Sequence, residues 1–154
     1  MNLFFKKLLS LYISFQIILI NLQKRYIMET IILILQIGLA CVFLYFGALK
    51  MFMPVEQIEK RVSWARDYSP TRLKYFGLLE VLGAIGLVLP YSLDIFPILT
   101  PMAATGLAMV MAGAAMVHLR RDEIKMILLN IVIIFLLAGV GFNTLLAIFN
   151  VNLY

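Results

Sequence analysis

Four stretches of about twenty mostly apolar residues, each bounded by charge, constrain this chain more than any other feature. A helix needs about 20 such residues to cross roughly 30 Å of hydrocarbon, and the stretches fall at about 31–52, 72–90, 96–119 and 127–149. Their interiors hold few polar groups: Lys50 near the end of the first, Glu80 in the second, His118 at the end of the third, and Asn130, Asn143 and Thr144 in the fourth. The 154 residues are 64% hydrophobic and only 14% charged, against roughly 25% charged in an ordinary soluble domain. A chain of this length with four spans has no room for a separate soluble catalytic domain. The expected fold class is therefore all-α, a transmembrane helix bundle whose work is done in or at the bilayer.

The boundaries carry helix punctuation. Ser69-Pro70-Thr71 precedes the second span, Pro97 and Pro101 are confined to the first turns of the third, where a missing N–H costs least, and Arg120-Arg121 closes the third. The connections 91–95 and 120–126 are short, which favours antiparallel neighbours and an up-down four-helix bundle. Between the first two spans, residues 54–68 (PVEQIEKRVSWARDY) repeat Val55, Ile58, Val62 and Ala65 at helical spacing, with Glu56 and Glu59 early and Lys60, Arg61 and Arg66 late. That pattern predicts a short interfacial helix anchored by Trp64.

Charge is unevenly placed. Lys6, Lys7, Lys24 and Arg25 supply four of the five net positive charges, and residues 28–154 carry 9 basic and 8 acidic side chains. Without a basic groove, nucleic acid binding is not expected. Lys50, Lys60, Arg61, Arg66, Arg72 and Lys74 cluster around the first connection, and Arg120, Arg121 and Lys125 around the third. The positive-inside rule then makes both connections cytoplasmic, with residues 91–95 and the C-terminus on the outer face of a bacterial inner membrane.

Residues 1–27 are treated separately from a membrane domain spanning 28–154. Residues 8–21 are apolar but short for a span, and basic pairs flank them. Three readings stand: a signal-like or interfacial segment, a fifth helix that would place Lys24 and Arg25 outside, and translation beginning at Met28.

One cysteine, Cys41, and one histidine, His118, argue against a disulfide, a redox thiol pair and any thiolate-rich or His-rich metal site. Ionisable groups within spans are costly and by default face the bundle interior. Counted from the cytoplasmic boundaries, Lys50, Glu80, His118 and Asn130 can converge at one end of the bundle. Lys50 either snorkels to the phosphates or pairs with Glu80. Asn130 is expected to hydrogen-bond between helices. Gly47, Gly77 and Gly83, with Ala108 and Ala112 in an alanine stripe on the third span, read as close-packing positions. Tyr45, Tyr75, Phe76 and methionines such as Met109 and Met111 would wall that end with adaptable apolar surface.

Three segments together resemble the DoxX-like family of small bacterial membrane proteins: FGALKMFMP (46–54), YFGLLEVLGAIGLVLP (75–90) and the third span ending AAMVHLRR (114–121). The likeness covers roughly residues 30–147, and the family's Gly-x-x-Lys, Glu-x-x-Gly and Ala-x-x-x-His elements fall on Gly47 and Lys50, Glu80 and Gly83, and Ala114 and His118. The resemblance implies a redox-associated membrane subunit. Expected is an accessory or scaffold protein, not catalytic alone, whose polar cluster docks a redox-enzyme partner or holds a lipid or quinone headgroup, with homo-oligomers as another arrangement. A quinone-linked oxidoreductase subunit of thiosulfate:quinone type is the alternative. A small-solute or proton transporter ranks below both, since no span carries a central break that would expose backbone to a substrate.

Overall fold

The structure is a computed structural model that describes residues 3–61 and 63–149. Its elements in chain order are α1 (Leu3–Phe52), α2 (Val55–Arg61), a 3-10 turn (Ser63–Asp67), α3 (Pro70–Ser92), α4 (Leu99–Leu119) and α5 (Ile124–Ile148). No strand occurs among the described residues.

α1 corrects the expected first boundary. In place of a helix starting near residue 31, one helix of 50 residues runs unbroken from Leu3, about 75 Å at 1.5 Å per residue. Residues 3–37 contain no proline or glycine, and Lys24 and Arg25 are good helix formers. The Arg25 Nε to Glu29 Oε1 pair at 2.9 Å and the Thr30 hydroxyl donating to the Tyr26 carbonyl at 2.8 Å support that stretch. Charge can end a span, but it does not end a helix. Residues 4–27 are exposed except for half-buried Gln16, and the first buried residue of α1 is Gln36.

α3 also runs past its expected stop, carrying Pro90 in its last turn and ending at Ser92. Proline removes one backbone donor there, and in an apolar medium neighbouring groups must satisfy what remains. Two side chains reach into this stretch of backbone. Gln36 of α1 donates its side-chain amide to the Leu87 carbonyl, and the Tyr91 N–H donates to the Thr100 hydroxyl of α4 at 3.3 Å. Ser69 stands at the N-cap of α3 with Pro70 at the first position, but its hydroxyl makes no cap bond. α4 starts at Leu99, later than expected, because Phe96 takes a positive φ of 49° just before it. α5 starts three residues early, at Ile124, where Asp122 with φ 55° has completed the turn.

The core is built from Leu39 and Phe43 of α1, Ala84 and Leu87 of α3, Leu107 and Met111 of α4, and Leu137 and Val140 of α5. α1 packs chiefly on α3 and α4 chiefly on α5, with α3 and α4 joining the two pairs. A second cluster seats Ile58 and Ala65 against Leu73, so α2 and the 3-10 turn pack on the start of α3. Ile58 and Ala65 are buried, but on two short elements, α2 and the 3-10 turn, in place of the single helix expected over 54–68, and Val62 lies outside the described residues. Outward faces are apolar, as at Phe135, Met109 and Leu128. Four helices, α1, α3, α4 and α5, are long and apolar enough to cross a membrane.

Candidate functional site

The site begins with two glycines. A Cβ on Gly47 would lie 2.8 Å from the Gly77 carbonyl oxygen, and one on Gly77 would lie 2.6 Å from that of Gly47. No side chain fits between them, so α1 and α3 touch backbone to backbone. Three residues further along each helix stand Lys50 and Glu80, nearly one turn beyond the contact.

Lys50 Nζ donates to Glu80 Oε1. Glu80 is 2% exposed, and its Oε2 has no partner among the described residues. The ammonium also lies 5.6 Å from the centroid of the Trp64 ring, within cation–π range. Of the two readings of Lys50, the structure takes the internal pair. Trp64 stands edge-on to Tyr68 with ring centroids 6.0 Å apart, and Tyr68 stands edge-on to Phe76 at 5.6 Å. The tryptophan is half-buried and turned toward Lys50.

These groups border a cavity of about 350 Å³. Lys50, Glu80, Trp64 and Tyr68 line it from one side, and Met109, Gly113 and His118 of α4 from the other. Three of the four expected polar residues therefore share one cavity. The fourth, Asn130, is buried in α5 outside the lining, and its Nδ2 has no partner among the described residues, in place of the expected interhelical bond.

Of the expected packing positions, Gly83 leaves no room for a methyl group, since a Cβ would meet Leu107 Cδ2 at 2.5 Å. Ala108 packs half-buried against the core. Ala112 is exposed, which corrects its reading as a helix-packing residue within the chain: the core-facing row of α4 passes through Ala104, Leu107 and Met111 and leaves Ala112 on the outer side.

His118 brings in a set of residues that the sequence reading missed. Its Nδ1 lies 2.6 Å from Glu123 Oε2 across the α4–α5 turn, and its carbonyl accepts the N–H groups of Arg121 and Glu123 at 3.2 and 3.0 Å. Arg121 donates from Nε to Glu123 Oε1 at 3.2 Å and from Nη1 to Asp67 Oδ2 at 2.7 Å. The hydrogen bond from His118, then that from Arg121, holds the Glu123 carboxyl below the usual carboxylate range. In sequence, HLRRDE reads as a charged span boundary, and nothing in it signals Asp67, 54 residues upstream of Arg121. Gln36 was also missed, although it is the lone polar side chain in residues 31–49 apart from Tyr45 and Cys41.

Among the described residues no three His, Cys, Asp or Glu side chains group as a metal site would need, and Cys41 is an exposed free thiol.

Four membrane-length apolar helices, with a charge pair folded inward rather than left facing lipid, define a multi-pass helical membrane protein. Residues 34–140 match the DoxX-like family, and the chain belongs to that family. No curated protein and no solved structure matches it.

Proposed function

We propose that this protein is an accessory integral membrane subunit of a redox-related system, and that the cavity beside Lys50 and Glu80 holds the headgroup of a lipid or quinone. The observation that carries the reading is that cavity: its walls are mostly apolar, with Trp64, Tyr68, Phe76, Met109 and Met111 among them, and an internal ion pair and an imidazole stand at its border. Few polar groups in an apolar enclosure are the usual makeup of a small-molecule site. His118, Lys50 and Glu80 are the residues concerned, with Asn130 a buried polar neighbour in the bundle.

In this reading the bundle is up-down, supported by Gly47 meeting Gly77 while Gln36 meets Leu87. Residues 28–154 form the membrane domain and 1–27 an extension, supported by the exposure of residues 4–27 and by a family match that starts at 34. Residues 55–67 lie at the interface of a bacterial inner membrane, on its cytoplasmic side, where the basic connections are concentrated.

The test is mass spectrometry of small molecules that co-purify with wild type, Glu80→Gln and Gly113→Leu. A Cβ at Gly113 meets nothing within 4 Å, so a leucine enters beside the cavity without displacing backbone. A lipid or quinone enriched in wild type and depleted in both variants is expected. Identical bulk lipid in all three would remove the headgroup reading.

A further inference from the structure

Charge balance and one ring nitrogen specify the cavity's occupant more closely. Among the described residues Lys50 is the one lysine or arginine in the lining, and it is already engaged by Glu80. Arg121, which shares the Glu123 carboxylate with His118, is engaged by Asp67 and Glu123. Among the described lining residues an anionic head would thus meet no uncompensated lysine or arginine, and burying it there would be costly. His118 offers something different. The Glu123 carboxylate at 2.6 Å takes the Nδ1 proton as its hydrogen bond, and the other nitrogen of a neutral imidazole, Nε2, is then an acceptor. With Nδ1 occupied, Nε2 is the ring atom left for a molecule in the cavity that His118 lines.

We infer that the cavity takes an uncharged amphiphile whose head carries a hydroxyl group, that this hydroxyl donates to His118 Nε2, and that Glu123 is the positioning residue that fixes the His118 tautomer. The inference rests on the headgroup reading above and narrows it to hydroxyl donors, a chemistry shared by glycerol-headed lipids and by hydroquinone-type phenols. Arg121 holds Glu123 in place and is itself held by Asp67 of the 3-10 turn, so a chain of contacts joining two connections of the bundle supports the His118–Glu123 pair.

The chain contains one tryptophan and one histidine, and both line this cavity, so each gives a signal free of overlap. The experiment uses full-length protein in phosphatidylcholine vesicles for Trp64 fluorescence, which reports affinity, and in phosphatidylcholine-containing mixed micelles for the [15N]histidine resonance, which reports the ring. The probes share one tail length: a monoacylglycerol, an alkyl hydroquinone, a fatty-acid methyl ester and a lysophosphatidate. Expected is binding of a hydroxyl probe at least about tenfold tighter than the methyl ester and the lysophosphatidate, the scale of one buried hydrogen bond; whichever hydroxyl probe leads identifies the source. The 15N spectrum should show a neutral ring protonated at Nδ1, with the Nε2 resonance shifting on binding. His118→Phe should abolish the preference, and Glu123→Gln should mix the tautomers and weaken it. Equal binding of the methyl ester, a preference for lysophosphatidate, or a doubly protonated ring would overturn the inference while the headgroup reading stands. No change at Trp64 with any probe would overturn both.

Discussion

The contact between α1 and α3 has two ends of opposite character. At one, Gly47 and Gly77 bring the backbones together and a charged pair, Lys50 and Glu80, stands beside a cavity. At the other, a neutral amide, Gln36, closes on the Leu87 carbonyl in the turn before Pro90. Both ends bury polar groups in an apolar bundle. The Gln36 bond repairs backbone near a proline, and all it requires is a donor of the right length. The Lys50–Glu80 end keeps two charges beside open volume, with a carboxylate oxygen that has no partner among the described residues, an arrangement that packing alone does not need. Where a bundle of this size places charge and empty space together is the better guide to its function.

The largest expected effect comes from separating the helices at the glycine contact. Gly77→Leu forces backbone rather than a flexible side chain to retreat from a Cβ at 2.6 Å, and its cost should exceed the about 4–5 kcal/mol that single substitutions seldom reach; loss of folded protein in detergent checks it. Gly38→Ala is its control, because a Cβ there meets nothing within 4 Å. Next is Lys50→Met, which strands a buried carboxylate and should cost about 3–5 kcal/mol in a denaturation assay. Adding Glu80→Leu should recover most of that loss, and a double variant no better than Lys50→Met would mean that the pair is not a closed unit. At the other end, Gln36→Leu should cost about 0.6–1.7 kcal/mol, the range for interhelical hydrogen bonds in membranes. If it cost as much as Lys50→Met, the contrast between the ends would collapse.

The smallest effect is a pH response outside the spans. Glu123 has its pKa lowered in the fold by His118 and Arg121. Its contribution is therefore present above the ordinary glutamate value of about 4.3 and is lost as pH falls through the lower folded value. Glu123→Gln should flatten the acid limb of thermal stability below about pH 4.3 and leave the curve near neutrality unchanged in shape.

Much of the fold was legible because span length and charge follow directly from bilayer thickness. Four membrane-length helices stand where the apolar stretches are, and counting along the helices brought Lys50, Glu80 and His118 to one end, with Asn130 placed there as well but lying outside the lining. What counting could not supply was anything set by a neighbour. α1 continues through Lys24 and Arg25 because helix propensity is local and takes no account of a membrane boundary. Ala112 faces outward because the row of α4 that meets the core is chosen by its partners. Asp67, Arg121 and Glu123 join two connections that sequence presents only as charged caps, and their pairing exists only once the chain has folded back. Asn130 was legible as buried, but not as having an amide nitrogen with no partner among the described residues.

The Lys50–Glu80 pair also has a consequence in time. Lys50 is synthesised 30 residues before its partner, and Gln36 precedes Leu87 by 51. At about 5–20 residues per second, α1 must wait some seconds as a helix carrying an unpaired ammonium and an unpaired amide. During that interval it is poorly suited to lipid and well suited to whatever shields polar groups at the point of insertion. The arrival of α3 ends that state by supplying the Glu80 carboxylate and the Leu87 carbonyl.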